Sequence, residues 1–261
     1  MKTPSILITG SNGYIAKSLK RDLDDNFIVT TISRTDFDLC DTDSLNTWFK
    51  GKAFDSVIHC AAAGGSRLKA EDPSVRDQNL KMYENLLSNK DKFGRLIHFG
   101  SGAEFFHQTF YSQSKREIAE SIRNTDNFYN IRIFGVFDEN EIDTRFIKAN
   151  ITRYMNKEPI VIHTNRIMDF FYMKDLIALV KHYIVSVNPN KEVNCSYENK
   201  YTLKNIANMI NSLGEYTVPI TVQNTSNLEF YCGESNLPEI DTFGIEAGIE
   251  FTYQKLFMMR N

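Results

Sequence analysis

Residues 6–16 read ILITGSNGYIA. An apolar run ends at Gly10, a second glycine follows at Gly13, and a helical pattern starts at once. Gly10 closes a strand, Gly13 lets backbone approach backbone, and Ala16 is a third small residue where the helix packs on the strand. A helix start offers unpaired N–H groups and partial positive charge, which suits a pyrophosphate. Placed after a strand and before a helix, the turn reads as a dinucleotide-binding fingerprint. Gly10, Asn12, Gly13, Tyr14 and Ile15 are assigned to the cofactor on that basis. The competing reading is a tight strand–helix turn that binds nothing.

The same rhythm continues on the C-terminal side. Strand-like runs recur at residues 5–9, 27–32, 56–60, 95–99 and 127–134, and amphipathic stretches begin near Gly13, Thr42, Ser74 and Tyr111. Such alternation predicts an α/β protein, a Rossmann-type doubly wound parallel sheet with right-handed crossovers. Runs rich in Ile, Val and Phe fit a sheet covered on both faces. After about residue 135 the pattern loosens, and DENEID at 138–143 reads as a solvated acidic loop. Helical patterns then cover about 143–155, 174–186 and 202–212, with the strand-like pieces PIVIH, EVNCS and TVPITV among them. The expected division is a dinucleotide-binding domain over 1–135 and, over 136–261, mainly a small α/β substrate cap, with some segments returning to the sheet.

Composition narrows the function classes. The 261 residues suffice for one large α/β domain, or one with a small cap. Apolar residues make up 42%, with 13 Gly and 6 Pro, which favours a packed core over disorder. A net charge of −3 with well-mixed signs leaves no footprint for nucleic acid or an anionic membrane. No apolar stretch approaches the about 18 residues that span a bilayer. Cys40, Cys60, Cys195 and Cys232 lack CxxC spacing, and the five histidines lack paired-ligand spacing. Free thiols, no metal and a cytoplasmic location are expected.

The tip of the second strand selects between cofactors. An acid there would bond a ribose 2′-hydroxyl, but TTISRTDFDL presents Ser33 and Arg34. Arginine is a planar donor fork matched to phosphate, which favours NADP(H). Asp36 nearby keeps NAD(H) open.

Tyr111 and Lys115 form YxxxK at the start of a helical pattern, and i, i+4 spacing puts both on one face. A free phenol has a pKa near 10, and a neighbouring ammonium favours its phenolate. Tyr111 can then give a proton to a carbonyl oxygen as hydride arrives, or take one in reverse, while Lys115 also bonds the nicotinamide ribose. The competing reading is an amphipathic surface helix. A third group, a Ser or Thr just past the preceding strand, would polarise the carbonyl; GSGAEF offers Ser101.

VIHCAAAGG, FGSGAEF and YSQSK together resemble the extended short-chain dehydrogenase/reductase family, the nucleotide-sugar epimerases, dehydratases and 4-keto reductases. SRTDFDLCD is similar to the NADP-dependent branch with GDP-fucose synthase and dTDP-4-dehydrorhamnose reductase. The resemblance implies that Asp38 and Leu39 lie beside the adenine, and that Cys60, Ala61 and Ala62 follow the ribose and phosphates. It also implies Asn79 and Phe134 near the nicotinamide half. Matching Gly100–Ser101 to the branch's Gly-Ser makes Ser101 the carbonyl donor; counting from the aromatic end of the epimerase pattern gives Gly102.

Departures from the family narrow the chemistry. Ala103 stands where dehydratases carry an Asp and where GDP-fucose synthase carries a Cys, although Glu104 matches the dehydratase Glu. Elimination is disfavoured while the hydride machinery is intact. Gly135 and Met168 replace substrate-binding Asn and Arg residues, leaving Glu104, Arg145, Lys148 and Arg166 as the substrate-side candidates. Asp169 and Asp175 read as structural hydrogen-bond partners. The resemblance also implies a homodimer, paired through the helices near 75–90 and 111–124. These readings converge on an NADPH-dependent reductase of a nucleotide-linked 4-keto (deoxy)sugar. The alternatives are a C4 epimerase with tightly held NAD and, from another class, a non-catalytic NADP-binding regulatory or scaffold protein.

Overall fold

The computed structural model describes residues 3–65, 70–106 and 108–260, with all their side chains except those of 225–228. In chain order it begins β1 (Ser5–Thr9), α1 (Tyr14–Leu23), β2 (Ile28–Ile32), α2 (Thr42–Phe49), β3 (Ser56–His59), α3 (Ser74–Ser88), β4 (Leu96–Ser101), α4 (Ala103–Phe106), α5 (Phe110–Arg123) and β5 (Phe128–Ile133). There follow β6 (Val136–Phe137), α6 (Phe146–Met155), β7 (Ile160–Met168), β8 (Phe171–Tyr172), α7 (Met173–Val185), β9 (Glu192–Cys195), α8 (Leu203–Asn211), β10 (Ile220–Tyr231) and α9 (Gly244–Arg260). The chain divides into two units, Met1–Arg132 with Val180–Val193, and Ile133–Leu179 with Asn194–Asn261.

A six-stranded sheet runs in the order β2-β1-β3-β4-β5-β9. Its β1–β2, β1–β3 and β3–β4 pairs are parallel, with Leu7 opposite Thr30 and Val57, and Ile58 opposite Ile97. Every residue of β3 and β4 is buried, as expected where helices cover both faces. Leu7, Leu45, Phe49, Val57, Leu86, Leu96 and Ile122 are fully buried in the core of the first unit. The helices start on side-chain caps where the sequence supplies them: Asp41 accepts from the Asp43 and Ser44 amides before α2, and Thr109 from the Ser112 amide before α5. From β1 the chain crosses to one side for β2 and then to the other for β3. The resulting switch point lies at the carboxyl ends of β1 and β3, the usual ligand crevice of such sheets.

In the second unit β7 pairs with β10 and β6 with β8, both parallel. Ile147, Ile151, Tyr154, Ile206, Ile210 and Ile249 pack its core. The acidic stretch 138–143 corrects the expectation of a solvated loop, because Asp138 and Glu141 are buried. The Asp138 carboxylate accepts the Asn140 N–H at 2.7 Å, closing a turn on itself. Burial pushes the Glu141 carboxyl up to about 8, with Asp138 adding to the rise and Arg145 opposing it. Composition signals solvent, and tertiary packing overrides it.

Candidate active site

The glycine turn sits where β1 meets α1. Gly10 has a φ of +68°, and a Cβ there would come within 2.7 Å of the Ala61 backbone. Only glycine fits both conditions. Gly13 is the N-cap of α1 with no side-chain cap, and the first turn carries no acid. The positive end of the helix therefore carries no side-chain cap and no carboxylate of its own first turn, which fits a pyrophosphate. The Ala61 amide donates to Thr9 Oγ1 at 3.3 Å, tying the segment after β3 to the end of β1. Burial raises the Cys60 thiol well above the ordinary range, so this side chain is a neutral wall.

After β2, the Ser33 amide and hydroxyl both donate to Asp36 Oδ2, at 2.8 and 3.1 Å. The acid that would hold a ribose hydroxyl is folded back onto its own turn, while Arg34 is exposed. Asp38 accepts the Cys40 amide at 2.9 Å. Leu39 is buried in the core, and its carbonyl accepts from Asn85 Nδ2 at 2.8 Å.

Tyr111 and Lys115 lie on the first turns of α5. The Tyr111 ring lies against Gly65, where a Cβ would be 3.1 Å from the ring. Glu71 bridges the two segments, accepting the Gly65 amide at 2.9 Å and the Tyr111 amide at 3.0 Å. A carboxylate on the first amides of a helix satisfies its orphan donors and its dipole. Lys115 is 3% exposed, and its Nζ lies 5.6 Å from the Tyr111 ring centroid. Nζ donates to the Phe99 carbonyl at 2.6 Å and contacts His98 Nε2 at 3.3 Å. Burial lowers the ammonium to about 8, with Glu104 and Cys60 pulling it back up. An ammonium of weakened proton affinity beside a phenol is what proton transfer near neutral pH requires.

Asn79 braces this corner. Its Oδ1 accepts the Ala63 amide at 2.7 Å, and its Nδ2 donates to the Ala63 carbonyl and to Ser114 Oγ, each at 3.0 Å. Ser114 Oγ in turn donates to the Tyr111 carbonyl at 2.7 Å. The amide expected near the nicotinamide thus joins α3, α5 and the segment after β3.

Ser101 ends β4 and is buried, and its Oγ accepts the Ala103 amide at 3.2 Å. That bond uses a lone pair and leaves the hydroxyl proton to be given elsewhere. Glu104, expected at the substrate, points into the protein instead. It accepts the Ser101 amide at 2.9 Å and Arg132 Nε at 2.7 Å, and Arg132 Nη2 reaches Glu192 at 2.7 Å. A Cβ on Gly100 would overlap the Glu104 and Asn130 side chains, which accounts for the glycine.

The remaining candidates belong to the second unit. Phe134 is buried with its ring 5.7 Å from that of Tyr231. Arg145 is the N-cap of α6, Lys148 pairs with Asp143 at 2.8 Å, and Arg166 pairs with Glu229 at 3.3 Å. Asp169 accepts Ser196 Oγ and the Gly233 amide at 2.8 Å, and Asp175 the Phe243 amide at 2.8 Å, so both act as hydrogen-bond partners. Glu71 and His98 escaped the sequence reading. Glu71 lies 40 residues before the amide it holds, and the one signal for His98 is a polar ring inside the apolar run LIHFGS. Among the described residues no three His, Cys, Asp or Glu side chains are placed to hold a metal, and no helix is long and apolar enough to cross a membrane.

Comparison with known proteins gives a family match over residues 6–196 to the model of the NAD dependent epimerase/dehydratase family. No curated protein matches in sequence. Among solved structures, a UDP-N-acetylglucosamine 4-epimerase from Methanobrevibacter ruminantium M1, in complex with UDP-N-acetylmuramic acid, is similar at 18% identity and a TM-score of 0.80, covering 100% of both chains. A GDP-L-fucose synthetase from Naegleria fowleri bound to NADP follows at 17% and 0.77, over 100% of this chain and 94% of that one. A UDP-glucose 4-epimerase from Thermus thermophilus in complex with NAD gives 16% and 0.74, over 96% and 98%. At these identities the likeness shows the Rossmann-type fold.

Proposed function

We propose the following reading for a chain that belongs to the NAD dependent epimerase/dehydratase family: it reduces the 4-keto group of a nucleotide-linked (deoxy)sugar with NADPH. The bound dinucleotide supplies the hydride. Gly10, Gly13 and the start of α1 would hold its pyrophosphate, and Arg34 would take the 2′-phosphate while Ser33 keeps Asp36 turned back onto its own loop. Ser101 and Tyr111 donate to the sugar's carbonyl oxygen, and the Tyr111 proton passes to that oxygen as it becomes a hydroxyl. Lys115 stabilises the phenolate left behind. Glu104, locked to Arg132, positions Ser101 rather than the sugar. The observation that carries the reading is the buried Lys115 ammonium one helical turn from Tyr111 at the carboxyl end of β4.

C4 epimerisation with tightly held NAD is the second reading, favoured by the 4-epimerases among the similar structures. The experiment is incubation with NADPH or NADH and a panel of nucleotide 4-keto-6-deoxysugars, following loss of reduced-nicotinamide absorbance. Stoichiometric NADPH consumption supports reduction. Sugar inversion with no net cofactor consumption supports epimerisation, and neither outcome with any sugar defeats both.

A further inference from the structure

Three polar side chains stand in one row across the interior of the sheet. Parallel pairing sets Thr9 opposite His59 and His59 opposite His98, and all three are buried. Thr9 Oγ1 and His59 Nδ1 are hydrogen-bonded at 2.8 Å. The two imidazoles lie 5.5 Å apart, and the row ends where His98 Nε2 meets Lys115 Nζ at 3.3 Å. A helix-covered sheet ordinarily fills such positions with Val, Ile or Leu. His98 also leaves a polar atom stranded, since its Nδ1 is buried without a hydrogen-bond partner among the described residues. A buried polar atom left unpaired calls for a reason.

Resting on the reading of Tyr111 and Lys115 given above, we propose that His98 is a positioning residue for Lys115: its Nε2 accepts a hydrogen bond from the ammonium and, with the Phe99 carbonyl, fixes the amine beside Tyr111. An ammonium has donors only, so the nitrogen facing it must be bare and the imidazole proton must sit on Nδ1. There it finds no acceptor among the described residues. The stranded N–H is the consequence of keeping a lone pair against the amine. Two of the three N–H bonds of Lys115 are then committed to Phe99 O and His98 Nε2, which leaves one for the phenol and the ribose.

The groups facing this pair leave Lys115 as the member that titrates near neutral pH. Burial holds His98 uncharged, helped by the Lys115 charge and then by His59, and burial holds His59 at about 3. Cys60 after β3 stays a neutral thiol, and Tyr83 on α3 places its ring 6.4 Å from His98. Glu104 on α4 favours the ammonium, and Tyr111 is on α5 itself. Removing a lone pair that faces the charged amine weakens its hold on the proton, and an oxygen at the same place restores it.

The test is NMR on the free protein, with neither cofactor nor substrate. In the native chain, side-chain 15N shifts of His98 at about pH 7 are expected to show a bare Nε2 and a protonated Nδ1. The Lys115 side chain is then titrated in His98→Leu and His98→Gln. His98→Leu is expected to move its midpoint down by about one pH unit, and His98→Gln to stay close to native. A proton on Nε2 in the native protein would overturn the proposal. So would a midpoint that His98→Leu leaves in place, or that His98→Gln displaces as far. None of these readouts needs turnover, so a failed Tyr111 reading would appear separately, as unchanged activity in Tyr111→Phe.

Discussion

Glu104→Ala is expected to destabilise the first unit by about 3–4 kcal/mol and to loosen the turn that carries Ser101. The side chains of Glu104 and Arg132 are 3% and 7% exposed, and their ion pair is 2.7 Å long. Breaking a buried pair by removing one partner costs about 3–5 kcal/mol. Arg132 keeps Glu192, itself 26% exposed, so the charge term belongs at the lower end of that range. The buried Ser101 amide also loses its acceptor, which adds about 1 kcal/mol. Against a total stability of about 5–15 kcal/mol, the loss is large. The single tryptophan, Trp48, lies in the same unit, so its fluorescence during urea unfolding reports the relevant transition. With a slope of about 2–3 kcal/mol per molar urea, the midpoint falls by about 1.5 M. Glu104→Gln keeps the shape and one acceptor oxygen and should lose about half as much. A Glu104→Ala protein within about 0.5 kcal/mol of native would refute the reasoning, because only an exposed pair is worth so little.

Gly10→Ala forces a side chain into the left-handed region and onto the Ala61 backbone; calorimetry should show dinucleotide affinity reduced by about tenfold or more. Unchanged affinity would reduce the glycine turn to a turn. Arg34→Ala should weaken NADPH binding about tenfold through lost charge-assisted hydrogen bonds, with little change for NADH, and an equal loss for both would remove its role. Glu141 has a folded-state value of about 8, above its unfolded value. Its contribution to stability is complete below the unfolded value and is lost as pH rises towards about 8. Glu141→Gln should flatten that slope in urea titrations followed by circular dichroism, and an unaltered slope would place the carboxyl in water.

What was legible in the sequence is what is written locally. Strand, glycine turn and helix follow one another over residues 5–23, and Tyr111 and Lys115 share a helix, so spacing alone relates them. The alternation of strands and helices carries the parallel sheet, because each crossover is contained in one short segment. The missed features join distant segments. Glu104 meets Arg132 across 28 residues, Glu71 meets the Tyr111 amide across 40, and His98 meets Lys115 only because a strand and a helix are packed together. Assigning Glu104 to the substrate followed from a motif match; its actual direction is set by a cation on β5 that no local pattern reveals. In the same way Asp138 and Glu141 look like surface residues until α6 and the turn around them are in place.

The most direct measurement is single-turnover oxidation of NADPH by a nucleotide-linked 4-keto sugar, comparing the native protein with Tyr111→Phe. The phenol acting as proton donor predicts a chemical step slower by about 10²–10⁴-fold in Tyr111→Phe, with NADPH affinity nearly unchanged. A Tyr111→Phe protein that oxidises NADPH as fast as native would contradict it.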